Sequence, residues 1–185
     1  DISTLTEAFS DVSVQAPSLG VYLAGLLAIA LVFLSAFASG SEIAFFSLSP
    51  TDVAELEDEK TSSDSKIQML REDSERTLAT ILITNNFVNV MIVMLLSNIF
   101  VSIVKFGPMA YWLEFLIMTV FLTFLLLLFG EIMPKVYCRQ NPLRFCRRSV
   151  DAILFARKIF WPIETILLKS GMLAEKVMKK ESHVL

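Results

Sequence analysis

Residues 121–135 read FLTFLLLLFGEIMPK, an apolar run that ends in a glutamate, a proline and a lysine. The run predicts a membrane-spanning helix and places Glu131 at or near its end, where a charged side chain is costly. Pro134 has no N–H, so we expect the carbonyl of Gly130, four residues earlier, to lose its helical partner. A carboxylate beside a free carbonyl at membrane depth suits a hard cation, which takes oxygen ligands. The alternative is an ordinary helix end at which Glu131 caps the helix or pairs with Lys135.

The composition is that of a membrane protein. Hydrophobic residues make up 55% of the 185 residues and the mean hydropathy is +0.63, which is too apolar for an ordinary soluble domain. The net charge of −3 argues against nucleic acid as a partner. There is no CxxC motif or His/Cys cluster, and we expect the only histidine, His183, to be solvated, so soft-metal chemistry is disfavoured. The lack of a nucleophile–base pair and of a phosphate-binding loop argues against an enzyme.

Three segments are apolar enough to cross a membrane: about Gly20 to Phe46, about Leu78 to Val104, and about Met109 to Met133. The topology follows from the lysines and arginines, which stay cytoplasmic. Four fall within residues 51–77 and eleven after Pro134, against one between the second and third spans and none before the first. We therefore predict an all-α, multi-pass protein of the plasma (inner) membrane, with its N-terminus outside and its C-terminus in the cytoplasm.

The first span carries a polar cluster near its inner end, formed by Ser35, Ser39, Gly40, Ser41 and Glu42. Gly40 favours local unwinding, which would free further carbonyls. A hydroxyl in a span often bonds back to its own backbone, and this is the simpler interpretation of Ser35. Glu42 lies near the end of the span, where an interfacial position is the simpler interpretation.

The second span contains three asparagines within five residues, Asn85, Asn86 and Asn89. Asn85 and Asn89 are four residues apart and share one helix face, whereas Asn86 points about 100° away. Two interpretations stay open for the shared face: an interhelical hydrogen-bond clamp, or amide oxygens that bind a metal together with Glu131.

The predicted topology places the three polar clusters at one depth. The first and third spans both run inward and end at their polar clusters, and the second span begins at its own. Oxygen atoms from three helices would then surround a common point toward the inner side of the membrane. This convergence is the strongest indication of a cation site in the sequence.

The chain divides further by composition. We predict an extracytoplasmic lead over residues 1–18, a three-span transmembrane core over 19–148 with a cytoplasmic helical hairpin at 51–77, an interfacial amphipathic helix over 149–173, and the start of a linker over 174–185.

The hairpin has nine acidic and four basic residues, which indicates a solvated surface or, alternatively, a device that concentrates cations at a pore mouth. Ser49–Asp52 is typical of a helix cap, and Thr61–Ser63 of a break between two helices. In the amphipathic helix the apolar residues fall in one arc, with Glu164 among the charged residues on the other side, and Pro162 predicts a bend.

Over about Val21 to Met172, the chain resembles the transmembrane domain of the cyclin-M/CorC family of magnesium transporters. The motifs that carry the resemblance lie on all three spans and just after the third: Ser35-x-x-x-Ser39-Gly40-x-Glu42, Asn85-x-x-x-Asn89, Gly130-Glu131-x-x-Pro134-Lys135 and Arg139-x-Asn141-Pro142. Ala38 and Ser41 depart from the family pattern but leave the matched positions intact.

The resemblance implies a homodimer with three spans and a belt-like juxtamembrane helix per subunit, and an inward-open cavity that holds one dehydrated Mg²⁺. Carried over by position, the ligands would be the side chains of Ser39, Asn85, Asn89 and Glu131 and the carbonyl of Gly130. Five further residues would support them or shape the helices: Ser35, Gly40, Glu42, Pro134 and Lys135. Na⁺ exchange is the coupling that the family implies, and cytosolic nucleotide-binding domains are expected in the full-length chain.

Two functions therefore follow. The first is transport of a divalent cation, Mg²⁺. The second is a membrane-embedded sensor or scaffold whose polar cluster or bound ion holds a dimer together without transport.

Overall fold

The computed structural model describes residues 2–58 and 60–182, so His183 and the last residues of the predicted linker lie outside it. The elements in chain order are α1 (Ile2–Ser10), β1 (Ser13–Val14), α2 (Leu19–Phe46), α3 (Pro50–Glu57), α4 (Ser62–Glu72), α5 (Ser74–Ile103), β2 (Val104–Lys105), a 3₁₀ turn (Pro108–Ala110), α6 (Tyr111–Leu125), a π-helical segment (Leu126–Ile132), α7 (Met133–Cys138) and α8 (Pro142–Ser182). The all-α fold class is confirmed.

Among the described residues, three helical stretches are long and apolar enough to span a membrane: Leu19–Phe46, Ser74–Ile103 and Tyr111–Cys138. The three predicted spans are thereby confirmed as helices. The predicted end of the third near Met133 is wrong, because the chain stays helical through Pro134 as far as Cys138. A widened turn before the proline, Leu126–Ile132, makes this passage possible.

The chain forms two compact units. The first unit comprises Asp1–Phe37 and Asn86–Pro134. Here β1 pairs antiparallel with β2, with Ser13 opposite Lys105, so the predicted lead is attached to the segment that follows α5. A small apolar core joins Leu31 of α2 to Val88 and Ile92 of α5.

The second unit comprises Ala38–Asn85 and Lys135–Leu185. Its core packs α3, α4 and α8 together through Leu56, Ile67, Leu70, Cys146 and Val150, all fully buried. The predicted hairpin is therefore not wholly solvated, because one side of it builds this core.

Capping residues set the ends of the hairpin helices. The Asp52 N–H donates to Ser49 Oγ at 3.2 Å and the Ser49 N–H donates back to the Asp52 carboxylate at 2.9 Å, which confirms the predicted cap. The predicted break is confirmed as well, since α3 ends at Glu57 and α4 begins at Ser62.

A buried ion pair holds α4 to α8. Arg147 Nε donates to the Asp64 carboxylate at 2.8 Å, and Arg147 Nη2 lies 3.0 Å from the Glu55 carboxylate. The Asp64 side chain is fully buried, and its hydrogen bond to the Arg147 guanidinium holds the pKa of that carboxyl below its usual range.

The amphipathic helix is longer than predicted. It begins at Pro142 instead of residue 149, because a proline is well placed in the first helical turn, and it continues through the predicted linker start to Ser182. Phe155, Ile159 and Ile163 are exposed, in line with an apolar outer face.

Glu164, which the pattern places among the charged residues opposite the apolar arc, is fully buried. The Thr80 hydroxyl donates to Glu164 Oε1 at 2.5 Å, and Arg76 Nη1 lies 3.5 Å from Oε2. The Arg76 guanidinium also lies 3.7 Å from the centre of the Trp161 ring. A polar network therefore ties the start of α5 to the middle of α8.

Candidate cation site

Ser35 and Asn89 are joined within the first unit. Ser35 Oγ donates to Asn89 Oδ1 at 2.6 Å, between α2 and α5. The Ser35 hydroxyl thus bonds to a second helix. A bond to its own backbone, the simpler interpretation from the sequence, does not account for this contact. The amide oxygen of Asn89 keeps a second lone pair for another partner. The sequence did not predict this pair, although Ser35–Ser39 and Asn85–Asn89 share the same four-residue spacing.

Gly130 lies against the same pair. It is buried, and a Cβ at this position would come within 3.1 Å of Ser35 Oγ. Only glycine therefore fits beside Ser35 without displacing it. The structure brings Ser35, Asn89 and Gly130 into one place on three different helical segments.

The helix around Gly130 and Glu131 is wound as a π-helix from Leu126 to Ile132. The Met133 N–H donates to the Leu128 carbonyl, five residues earlier. Since Pro134 has no N–H, the carbonyl of Phe129 has no backbone donor four or five residues later. The carbonyl of Gly130, four residues before Pro134, lacks this donor as well, as the sequence predicts.

Glu131 is half-buried. Among the residues that the structure describes, no side chain forms an ion pair or a hydrogen bond with its carboxylate. The alternative in which Glu131 pairs with Lys135 is wrong, because Lys135 Nζ lies 3.5 Å from the carboxylate of Glu42. Glu42 and Lys135 pair with each other, which leaves the Glu131 carboxylate available for another partner.

Ser39 and Asn85 belong to the second unit, and both are buried. Ser39 Oγ is enclosed and has no hydrogen-bond partner, and no other side-chain atom of the described residues is in this state. A buried hydroxyl without a partner costs roughly 1–3 kcal/mol, so it requires an explanation such as an ion or a water. Asn85 is only 7% exposed, whereas Asn86 is exposed, as the helical periodicity predicts.

Gly40 does not unwind its helix, contrary to our expectation. Helix α2 continues through it to Phe46. A Cβ at Gly40 would lie 2.6 Å from Cys138 Sγ and 3.1 Å from the Phe145 ring, so the glycine serves close packing.

The predicted ligands are divided between the units: Asn89, Gly130 and Glu131 belong to the first, and Ser39 and Asn85 to the second. All are oxygen donors, with one carboxylate among them. No group of three or more His, Cys, Asp or Glu residues able to hold a metal exists within the described part of the chain. A set of hydroxyl, amide, carbonyl and carboxylate oxygens is the donor chemistry of Mg²⁺ or Ca²⁺ and not of soft metals.

Comparison with known proteins gives one family. Residues 26–184 match the model of the family described as "Cyclin M transmembrane N-terminal domain".

Individual relatives agree with this match. The chain is 30% identical over 167 residues to "Metal transporter cnnm-4" of Caenorhabditis elegans, covering 88% of the chain and 34% of that protein. It is 32% identical over 154 residues to a protein of Arabidopsis thaliana described as a putative DUF21 domain-containing chloroplast protein, with 83% and 22% covered. It is 31% identical over 138 residues to a "UPF0053 protein" of Haemophilus influenzae, with 75% and 31% covered. The chain thus spans about a third or less of the length of these relatives.

Proposed function

The chain belongs to the cyclin M transmembrane domain family, and on this premise we propose that it is the membrane part of a divalent-cation transporter whose cargo is Mg²⁺. It is a multi-pass membrane protein with three candidate spans. Membership of a transporter family, as opposed to an enzyme family, agrees with the expectation that it is not an enzyme. The relative from Caenorhabditis elegans is named a metal transporter, and the proposal extends that activity to this chain.

The observation that carries the proposal is the buried Ser39 hydroxyl without a partner. A structural hydroxyl would bond back to its own helix or to a neighbour, as Ser35 and Thr80 do. A cation that accepts the oxygen lone pair of Ser39 would satisfy it. The Glu131 carboxylate, which has no cationic partner among the described side chains, supports the same conclusion.

We propose the side chains of Ser39, Asn85, Asn89 and Glu131 and the carbonyl of Gly130 as ligands. Mg²⁺ requires six oxygen ligands in near-octahedral geometry, so a further carbonyl or a water would complete the shell. A single carboxylate neutralises only half of the ion's charge. Such a site binds the ion without holding it permanently, as a transported ion requires.

Orientation, assembly and coupling are part of the proposal. The lysine and arginine distribution supports an N-terminus outside and a C-terminus in the cytoplasm, in the plasma membrane. The family resemblance supports an inward-facing cavity, a homodimer, Na⁺ coupling and regulation by cytosolic nucleotide-binding domains.

The test is Mg²⁺-dependent thermal stabilisation of the purified chain. At a Mg²⁺ concentration 100-fold above the Kd, binding stabilises the folded state by about 2.7 kcal/mol. At roughly 2–4 °C per kcal/mol, this raises the Tm by about 5–10 °C. Glu131→Ala should abolish the shift and Glu131→Gln should weaken it, whereas Glu114→Gln, on the same span, should keep it. Retained Mg²⁺ stabilisation in Glu131→Ala contradicts the site.

A second function is favoured by the Ser35–Asn89 hydrogen bond, which is the polar clamp expected of a scaffold. Mg²⁺ flux into proteoliposomes distinguishes the two functions. A scaffold would bind Mg²⁺ without flux, even in the full-length protein that includes its cytosolic domains.

A further inference from the structure

A polar cavity lies in the second unit where the third candidate span ends. Its volume is about 250 Å³, and it is lined by Tyr137, Gln140, Asn141, Arg144, Phe145 and Arg148. The lining comes from the end of α7, the turn after it and the first turns of α8. We call it the Arg144–Arg148 cavity.

The charge of this cavity is uncompensated. Arg144 and Arg148 are one helical turn apart and both exposed, and neither forms an ion pair with a described residue. None of the described lining residues is acidic. Arg147 provides the contrast, since it is paired with both Asp64 and Glu55. Two like charges at this spacing repel each other, so an anion between them would relieve the repulsion.

The shape and chemistry of the donors favour phosphate. Each arginine presents a planar fork of N–H groups that matches two phosphate oxygens. The side-chain amides of Gln140 and Asn141 and the hydroxyl of Tyr137 add further donors at the cavity wall. A carboxylate also fits one arginine fork, but its two oxygens would leave the second arginine and the neighbouring donors unused, and amide carbonyl and hydrophobic ligands would use this set poorly.

The position of the cavity identifies the source of the phosphate. Tyr137 and Cys138 are the last residues of the candidate span Tyr111–Cys138, so the cavity lies where an apolar helix leaves the hydrocarbon region. Tyr137 is 71% exposed and Val136 is 58% exposed, as expected of side chains at the level of lipid. Phospholipid headgroups are concentrated at this depth, and basic pockets beside membrane helices bind them.

We propose that the Arg144–Arg148 cavity binds the phosphate headgroup of an anionic phospholipid. The phosphate oxygens accept from the two guanidinium groups and from the neighbouring amides, while Tyr137 and Phe145 contact the glycerol region. The site is separate from the proposed Mg²⁺ ligands, so either proposal can fail without the other.

The experiment is a lipid titration of the purified chain in detergent, read by native mass spectrometry. Phosphatidylglycerol should bind, and phosphatidylcholine should bind much more weakly. Arg144→Gln/Arg148→Gln should weaken phosphatidylglycerol binding about 25-fold, at about fivefold for each arginine near an anionic surface. Arg144→Lys/Arg148→Lys keeps the charge but loses the fork, and should give an intermediate loss.

The matched control is Lys158→Gln/Lys169→Gln, which removes the same charge from exposed positions on the same helix. It should leave binding within about twofold. An equal loss in the control would reduce the effect to general electrostatics and overturn the proposal. Unchanged phosphatidylglycerol binding in Arg144→Gln/Arg148→Gln would overturn it too. Displacement of phosphatidylglycerol by inorganic phosphate or sn-glycerol 3-phosphate that binds as strongly as the lipid would show that the cavity is a site for soluble anions. That result would also overturn the proposal.

Discussion

Replacing Ser35 by alanine separates a ligand role of Asn89 from a purely structural one. The substitution removes the donor that fixes Asn89 Oδ1 at 2.6 Å. An interhelical hydrogen bond in a membrane contributes on average ~0.6 kcal/mol, so the Tm without Mg²⁺ should fall by only about 1–2 °C. Groups that orient a metal ligand matter more for affinity, and their loss typically weakens metal binding by about 10- to 100-fold. We therefore expect a small loss of stability and a large rise in the Mg²⁺ concentration at half-maximal stabilisation.

The assay is a Mg²⁺ titration of thermal unfolding for the wild type, Ser35→Ala, Asn89→Ala and the double variant. If the two residues act through one hydrogen bond, the double variant should bind Mg²⁺ no more weakly than Asn89→Ala alone. Ser102→Ala is the control, because the Ser102 hydroxyl donates only within its own helix turn, to Asn98. A Ser35→Ala variant with a lower Tm and an unchanged Mg²⁺ midpoint would refute the reasoning and leave a structural clamp.

The same site allows a compensation test. Gly130→Ala would place a Cβ 3.1 Å from Ser35 Oγ, tighter than ordinary contact. Once Ser35 is alanine, the nearest remaining atom is its Cβ at 3.9 Å. The destabilisation caused by Gly130→Ala should therefore be reduced in the Ser35→Ala background, and strictly additive losses would contradict the described packing.

Three further predictions concern the second unit. Because Arg147 lowers the pKa of Asp64 in the folded state, the stability from this carboxylate is present above about pH 4 and is lost as the pH falls through the lowered folded pKa. Asp64→Asn should lower the free energy of unfolding by about 3 kcal/mol near neutral pH. It should also make the Tm less dependent on pH at the acidic end of the curve. A Tm-against-pH curve identical to that of the wild type would be inconsistent with the ion pair. Thr80→Val should lower the free energy of unfolding by about 1–3 kcal/mol, because it removes a hydrogen-bond donor from the buried Glu164. Thr80→Ser keeps the hydroxyl and should be tolerated. Equal losses of stability in both variants would indicate a packing role for Thr80 and not a role for its hydroxyl. Burial raises the pKa of the Cys146 thiol to about 12, so at pH 8 only about one thiol in 10⁴ is ionised. Maleimide labelling of Cys146 should therefore require unfolding. Rapid labelling of the folded chain would disprove this burial.

Long apolar runs and capping residues made the main elements predictable. The three spans follow from uninterrupted hydrophobicity, and the hairpin break follows from Ser49 and Thr61, which occupy the N-cap positions of two short helices. These are local effects, and a local pattern contains the information needed to predict them.

Contacts between distant segments were not predictable in the same way. Periodicity indicates that Asn89 faces inward, but it does not identify Ser35 as the hydrogen-bond partner. Helical spacing placed Glu164 among charged residues, yet Thr80 and Arg76 from another helix bury it. Pro134 was expected to end its helix, because the sequence does not reveal that the preceding turn widens to accommodate it.

The candidate site has some features that the sequence predicts and one that only the structure reveals. The residue types at Ser39, Asn85 and Glu131 indicated oxygen donors from the sequence alone. That the Ser39 hydroxyl lacks a partner depends on every neighbouring atom, so only the structure could reveal it.

The π-helical segment Leu126–Ile132 has a consequence for tracing the ancestry of this helix. A π-turn has one residue more than the α-turn it replaces. A homologue lacking that residue would wind as a regular α-helix here, and the positions on either side would keep their orientation, because the π-turn takes up the extra residue within one turn. An alignment gap inside this segment, and not in the flanking loops, would mark the lineages that lack the widened turn carrying Gly130 and Glu131.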